Sequence, residues 1–193
     1  MPAINSIAVF CGARLGNNPA YEAAAHAMGS GLAAAGIRLI YGGGRVGMMG
    51  VLADAVLDGG GTVLGVIPDF LLKWEVAHPG VTDMVVTGSM HARKQHMAEQ
   101  ADAFVALPGG LGTLDETIEI ITWRLLHLHD KPILLCNVDG SAAPLRAAIE
   151  AAIAQGFADE EARGAYEVID GVPALLDRLR LLPAGSAGPA GRL

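Results

Sequence analysis

The chain has 193 residues, 52% hydrophobic and 17% charged, a composition that excludes a disordered polymer and supplies one domain with enough apolar material for a core. A net charge of −7 disfavours a nucleic-acid polymer as partner. No apolar run reaches the about eighteen residues of a membrane span, so a soluble protein is expected, and the opening MPAINSIAVFCG lacks a basic leader, which predicts a cytoplasmic one.

In chain order, SIAVFCG reads as a first strand and PAYEAAAHAMGSGLAAAG as a helix closing at Gly36. IRLIYGG is a second strand, followed by a glycine turn and the helix VGMMGVLADAVLDGG, and GTVLGVIP is a third. A polar loop with Asp69, Trp74, Glu75 and His78 leads to the strand VTDMVVTG and the helix SMHARKQHMAEQA. DAFVALPGG is a fifth strand, LGTLDETIEIITWRLLHLH a long helix, and KPILLCNV a sixth strand. The helix SAAPLRAAIEAAIAQG, the strand AYEVID and the helix VPALLDRLRLL complete the pattern. Near-continuous apolar strands alternating with helices predict an α/β fold: a Rossmann-like, doubly wound, mainly parallel sheet with helices on both faces. One domain over residues 1–182 and a flexible tail over 183–193 are expected.

Three turns at strand carboxyl ends, CGARLGNN, YGGGRVGMMG and LPGGLGT, are rich in glycine or basic side chains. In such sheets ligands bind beyond those ends, so the turns are read together as one site. Arg14, Arg45, Arg93 and Lys94 all fall near them, which suits a small phosphorylated ligand despite the acidic total. Gly42, Gly44 and Gly47 form GxGxxG, and Asp69 follows at about the spacing of a ribose-binding acid. The motif follows the second strand rather than the first, which weakens a dinucleotide reading, and a tight turn is the plain alternative.

In LPGGLGT, Gly109, Gly110 and Gly112 bare the backbone at the mouth of a helix whose N–H groups and dipole attract an anion, with Thr113 adding a hydroxyl. A Walker A ending is missing, so a monophosphate fits better than triphosphate hydrolysis. Thr113-x-x-Glu116 matches a capping box. Against capping alone, Glu119 lies on the same helical face and Asp115 is adjacent, and acids beside an anion site suit chemistry on a sugar. Arg93 and Lys94 stand in the first turns of a helix, where the dipole disfavours cations, so a ligand role accounts for them. Cys11 and Cys136 are read as buried free thiols, and no histidine or cysteine spacing fits a metal, so no metal is expected.

The succession YGGGRVGMMG, SMHARK, PGGLGTLDETIEIITW and HDKPILLCNVDG resembles the LONELY GUY family of cytokinin-activating phosphoribohydrolases, long mislabelled as lysine decarboxylases. The similarity runs from about Ile7 to Phe157, and PGGxGTxxE is filled at each fixed position. The resemblance implies hydrolysis of the N-glycosidic bond of N6-substituted adenosine 5′-monophosphates, with AMP as a further substrate, to free base and ribose 5-phosphate. It implies Arg93 and Glu116 as the catalytic pair; Glu119, by its place on the same helical face, is the candidate supporting acid. Substrate contacts would come from Glu75, Lys94, Gly109, Gly110, Leu111, Gly112, Thr113 and Thr122, with Gly43 and Gly44 of the second turn. It further implies no organic cofactor, and a homodimer or larger assembly with the Trp123 helix at the interface. The first turn departs from the family's serine-rich CGSSPG: Ala13 lacks the hydroxyl, and Arg14 is the residue placed to compensate. After ITW, RLLH replaces the usual AQLG. The rival reading is a non-enzymatic carrier of a phosphorylated ligand, such as molybdenum cofactor. A pyridoxal decarboxylase is disfavoured because Lys73, Lys94 and Lys131 lack a fitting context.

Overall fold

The computed structural model describes residues 4–72 and 76–185. Seven strands, β1 (Ser6–Phe10), β2 (Arg38–Tyr41), β3 (Val63–Pro68), β4 (Asp83–Thr87), β5 (Ala103–Ala106), β6 (Ile133–Asn137) and β7 (Glu167–Asp170), form one sheet in the order β4-β3-β2-β1-β5-β6-β7. Every pairing is parallel. The connecting helices are α1 (Pro19–Ala35), α2 (Gly47–Asp58), α3 (Met90–Gln100), α4 (Leu111–Leu125), α5 (Ala143–Ala154) and α6 (Val172–Leu181).

The period of two along each strand divides the core. Ile7, Val9 and Cys11 with Ala103, Val105 and Leu107 pack against α1, α2 and α6, where Met28, Leu32, Leu52 and Leu175 are fully buried. Ala8 and Phe10 with Phe104 and Ala106 face α3, α4 and α5 through Met97, Ile120, Trp123 and Leu145. Phe10 and Phe104 stack with centroids 6.1 Å apart. Inner strands are buried on both faces, whereas β4 and β7 at the edges are more exposed, as a doubly wound sheet requires. The chain steps outward from β1 to β4 and then returns to place β5 on the other side of β1. The loops leaving β1 and β5 therefore diverge to opposite faces and open a crevice between them.

The expected long helix after β5 ends earlier, at Leu125 rather than His129. His127 takes a left-handed φ of 56°, and the N–H of Leu128 returns to Trp123 O at 2.9 Å. The chain then folds His129 against Phe104, centroids 5.2 Å apart, with its Nε2 3.1 Å from Ile120 O. Burial lowers the pKa of His129 from 6.5 to about 4 despite the Ile120 carbonyl, with Lys131 and Arg124 adding to the fall. Because its folded pKa lies below its unfolded one, the unfolded chain binds the extra proton, and stability should be full above about pH 6.5 and fall as pH drops towards 4. Urea titrations across that window should show a loss on the order of 2 kcal/mol, after allowance for solvent screening, that is absent in His129→Gln.

Of the expected tail, residues 183–185 are ordered against the body, the N–H of Gly185 lying 3.3 Å from Asp102 O. Residues 186–193 lie outside the described residues, as do Lys73, Trp74 and Glu75.

Candidate active site

At the carboxyl ends of β1 and β5 lies a cleft of about 910 Å³, within the size range of small-molecule sites. The turn after β1 forms one wall and the turn after β5 with the first turns of α4 the other, while Met48, Met49 and Arg93 close the side beneath β2. A second hollow of about 540 Å³, beside Pro132 and Tyr166, lies at the amino ends of the strands and lacks the glycine turns.

Helix α4 begins one turn earlier than the capping box requires. Gly110 is its N-cap, with no side-chain cap, and Leu114 N–H already reaches Gly110 O at 3.1 Å. Thr113 is therefore inside the first turn, buried, and Glu116 stands a turn further along, facing the cleft. The capping reading of these two residues is overturned by this one-turn offset. By helix geometry the N–H groups of Leu111, Gly112 and Thr113 lack intrahelical acceptors and point out of the helix end. Thr113 O is occupied from below by Thr117 Oγ1 at 2.6 Å. Glu116 sits close enough to Cys11 that its charge joins burial in pushing the thiol pKa far up, so Cys11 is a neutral wall. Burial, aided by Asp170, likewise raises Cys136 to about 11.

Arg93 is 4% exposed, and its position explains the second glycine turn. From α3 the guanidinium crosses the carboxyl ends of β2 and β3, donating from Nη2 to Gly42 O at 2.9 Å and from Nε to Val66 O at 3.1 Å. A Cβ on Gly42 would collide with Nη2. Gly47, at φ 64°, lies directly against the Ala13–Arg14 peptide, where a side chain would strike the backbone. The GxGxxG spacing thus serves an arginine seat and a loop contact. Gly43 and Gly44 do not line the cleft, and Gly44 instead pairs with Ala77 in an antiparallel bridge. Asp69, the candidate ribose acid, accepts from Phe70 N at 2.7 Å.

Of the residues named from sequence, the cleft brings together Arg14, Arg93, Gly109, Gly110, Leu111, Gly112, Thr113, Asp115 and Glu116. Lys94 turns away and clasps α4, with Nζ 3.1 Å from Asp115 and 2.8 Å from Glu119. Burial works to lower its pKa, but these two carboxylates outweigh it and raise the value. Thr122 is exposed on the outer face of α4, donating to Ile118 O at 2.8 Å. Glu75 lies outside the described residues. Sequence reading missed Asp139, which lines the cleft after β6 with φ 48° and accepts from Asn18 Nδ2 at 2.8 Å. The turn NVDG at a strand's carboxyl end was the signal for it.

No lysine of the described residues lines the cleft; Lys131 is buried elsewhere, donating to Ala98 O at 2.7 Å, its pKa lowered by burial. Among the described residues no cluster of three or more His, Cys, Asp or Glu could hold a metal, and no helix is long and apolar enough to cross a membrane.

A family profile described as "Possible lysine decarboxylase" matches residues 49–179. A probable cytokinin riboside 5′-monophosphate phosphoribohydrolase of Oryza sativa subsp. japonica is 46% identical over 174 residues, covering 90% of this chain and 77% of the relative. A cytokinin riboside 5′-monophosphate phosphoribohydrolase of Rhodococcoides fascians is 50% identical over 157 residues, covering 81% and 79%. Among solved structures, the molybdenum cofactor carrier protein of Chlamydomonas reinhardtii matches with a TM-score of 0.70 at 21% identity, covering 94% of this chain and 98% of that one. At that identity the likeness concerns the fold alone. The decarboxylase description meets a cleft with no lysine for a Schiff base among the described residues, whereas the phosphoribohydrolase relatives share most of the chain at nearly half identity. The chain belongs to the LONELY GUY family of cytokinin riboside 5′-monophosphate phosphoribohydrolases.

Proposed function

We propose that this protein hydrolyses the N-glycosidic bond of N6-substituted adenosine 5′-monophosphates, and of AMP, to the free base and ribose 5-phosphate. The observation that carries the reading is one cleft lined both by the open first turn of α4 and, a helical turn later, by the Glu116 carboxylate. The 5′-phosphate docks on the N–H groups of Leu111, Gly112 and Thr113, and this remote anchoring positions C1′. Glu116 stabilises positive charge developing on the ribose and accepts the proton of the attacking water. The C1′–N9 bond breaks with its electron pair going to the base, the water oxygen becomes the C1′ hydroxyl, and the base takes up a proton from solvent while Glu116 returns the one it accepted, so that one water is consumed per bond. Arg93 fixes the nucleotide from the β2–β3 side. Lys94 and Glu119, joined to each other, hold α3 and α4 in register and so act by positioning. No cofactor enters the scheme.

Incubation with isopentenyladenosine 5′-monophosphate or AMP, followed by chromatography of free base and assay of ribose 5-phosphate, tests the reading. Tight binding of the nucleotide without release of base would instead favour a carrier. The ratio of kcat/KM for the two nucleotides reports the preferred base.

The same proposal includes a homodimer in the cytoplasm. Buried free thiols at Cys11 and Cys136 suit a reducing compartment. Leu111, Leu114 and Ile118 project from one exposed stripe of α4, which Thr122 continues. Light scattering should show wild-type dimers and an Ile118→Glu monomer; dimers of unchanged affinity in that variant would place the contact elsewhere.

A further inference from the structure

We propose that Arg14 is a specificity-determining contact to the substrate's anionic group, facing the first turn of α4 across the cleft. The inference rests on the nucleotide reading above and adds to it a residue from the opposite wall.

The charge inventory of the cleft raises the need. Asp115, Glu116 and Asp139 line it, against two cations among the described residues, Arg14 and Arg93. Lys94 neutralises Asp115 from outside, whereas the partner of Asp139 among the described residues is the neutral amide of Asn18. Arg93 is buried and oriented by two backbone carbonyls. A phosphate carrying up to two negative charges entering this space faces acids on both sides, and a helix end contributes only about half a unit of positive charge. Arg14 is the exposed guanidinium of the cleft, and no ion pair among the described residues holds it.

Its backbone, by contrast, is firmly seated. Gly47 packs against the Ala13–Arg14 peptide with no room for a side chain between them. Gly12 N–H donates to Pro108 O at 3.1 Å, which ties the β1 turn to the turn that leads into α4. An exposed side chain on a fixed backbone, at the rim of a cleft whose other wall is an open helix end, suits capture of a phosphate in a bidentate grip. The grip would separate nucleotides from nucleosides, because only the former carry the group that Arg14 meets.

The experiment compares purified wild type, Arg14→Ala and Arg14→Lys. With isopentenyladenosine 5′-monophosphate, Arg14→Ala is expected to raise KM about ten- to hundredfold while kcat stays within about threefold. Arg14→Lys should recover part of the loss. Calorimetric titration with ribose 5-phosphate should show a matching loss of affinity, whereas affinity for the riboside isopentenyladenosine stays unchanged. Thermal melting should be the same for all three proteins, since the side chain is exposed. An unchanged KM and unchanged ribose 5-phosphate affinity would overturn the assignment. So would an equal loss of affinity for ribose 5-phosphate and for the riboside, which marks a distorted cleft. If wild type releases no base, the hydrolase reading fails, and the ribose 5-phosphate titration still decides the role of Arg14.

Discussion

Glu116→Gln is expected to lower kcat for isopentenyladenosine 5′-monophosphate by about 10²- to 10⁴-fold, with KM nearly unchanged. Glutamine keeps the shape and hydrogen-bonding reach of the side chain but carries no charge and is no base. Glu116 is half-buried inside α4, one turn beyond Thr113, and caps no helix end, so the exchange leaves the helix start intact. The thermal midpoint should therefore stay close to that of wild type. A variant with near-normal turnover and stoichiometric ribose 5-phosphate would remove Glu116 from the chemistry. A variant inactive only because it unfolds would reveal itself in the melting curve.

Arg93→Met is expected to strike both stability and turnover. The side chain removed donates to Gly42 O and Val66 O inside the protein, and both carbonyls would lose a charge-assisted partner. The expected cost is about 3 kcal/mol, or a melting midpoint lower by about 10 °C. Arg93→Lys should recover part of the stability, because one ammonium can reach one carbonyl, yet it lacks the planar fork needed to span two strand ends. Its kcat/KM should stay at least about tenfold below wild type at temperatures where it is fully folded, which separates orientation of the nucleotide from folding. Full activity in the folded lysine variant would reduce Arg93 to a structural strut.

The alternation of strands and helices was legible because the parallel sheet is buried on both faces, so each strand reads as an apolar run, from Ile7–Phe10 through Ile133–Cys136. Less legible were features fixed by tertiary contact. Nothing local stops a helix at Leu125: the next breaker is Pro132, and the turn is instead made by His127 in a left-handed conformation, while Phe104 draws His129 inward. The capping-box letters at Thr113 and Glu116 were offset by one turn because Gly110, not Thr113, begins the helix. Lys94 read as a ligand contact because sequence spacing does not tell that α4 runs alongside α3 within reach of its ammonium. The glycines of LPGGLGT were legible as a cleft wall; those of YGGGRVG read as ligand contacts, with a tight turn as the alternative, because the side chain that needs the space at Gly42 comes from Arg93, 51 residues on.

Positions 42 and 93 occupy one volume: any side chain at the first evicts the guanidinium at the second, and any shorter residue at the second leaves the first carbonyl bare. Neither site can change alone without loss, so the two are inherited as a single character, and an exchange that relieves one must pass through the other.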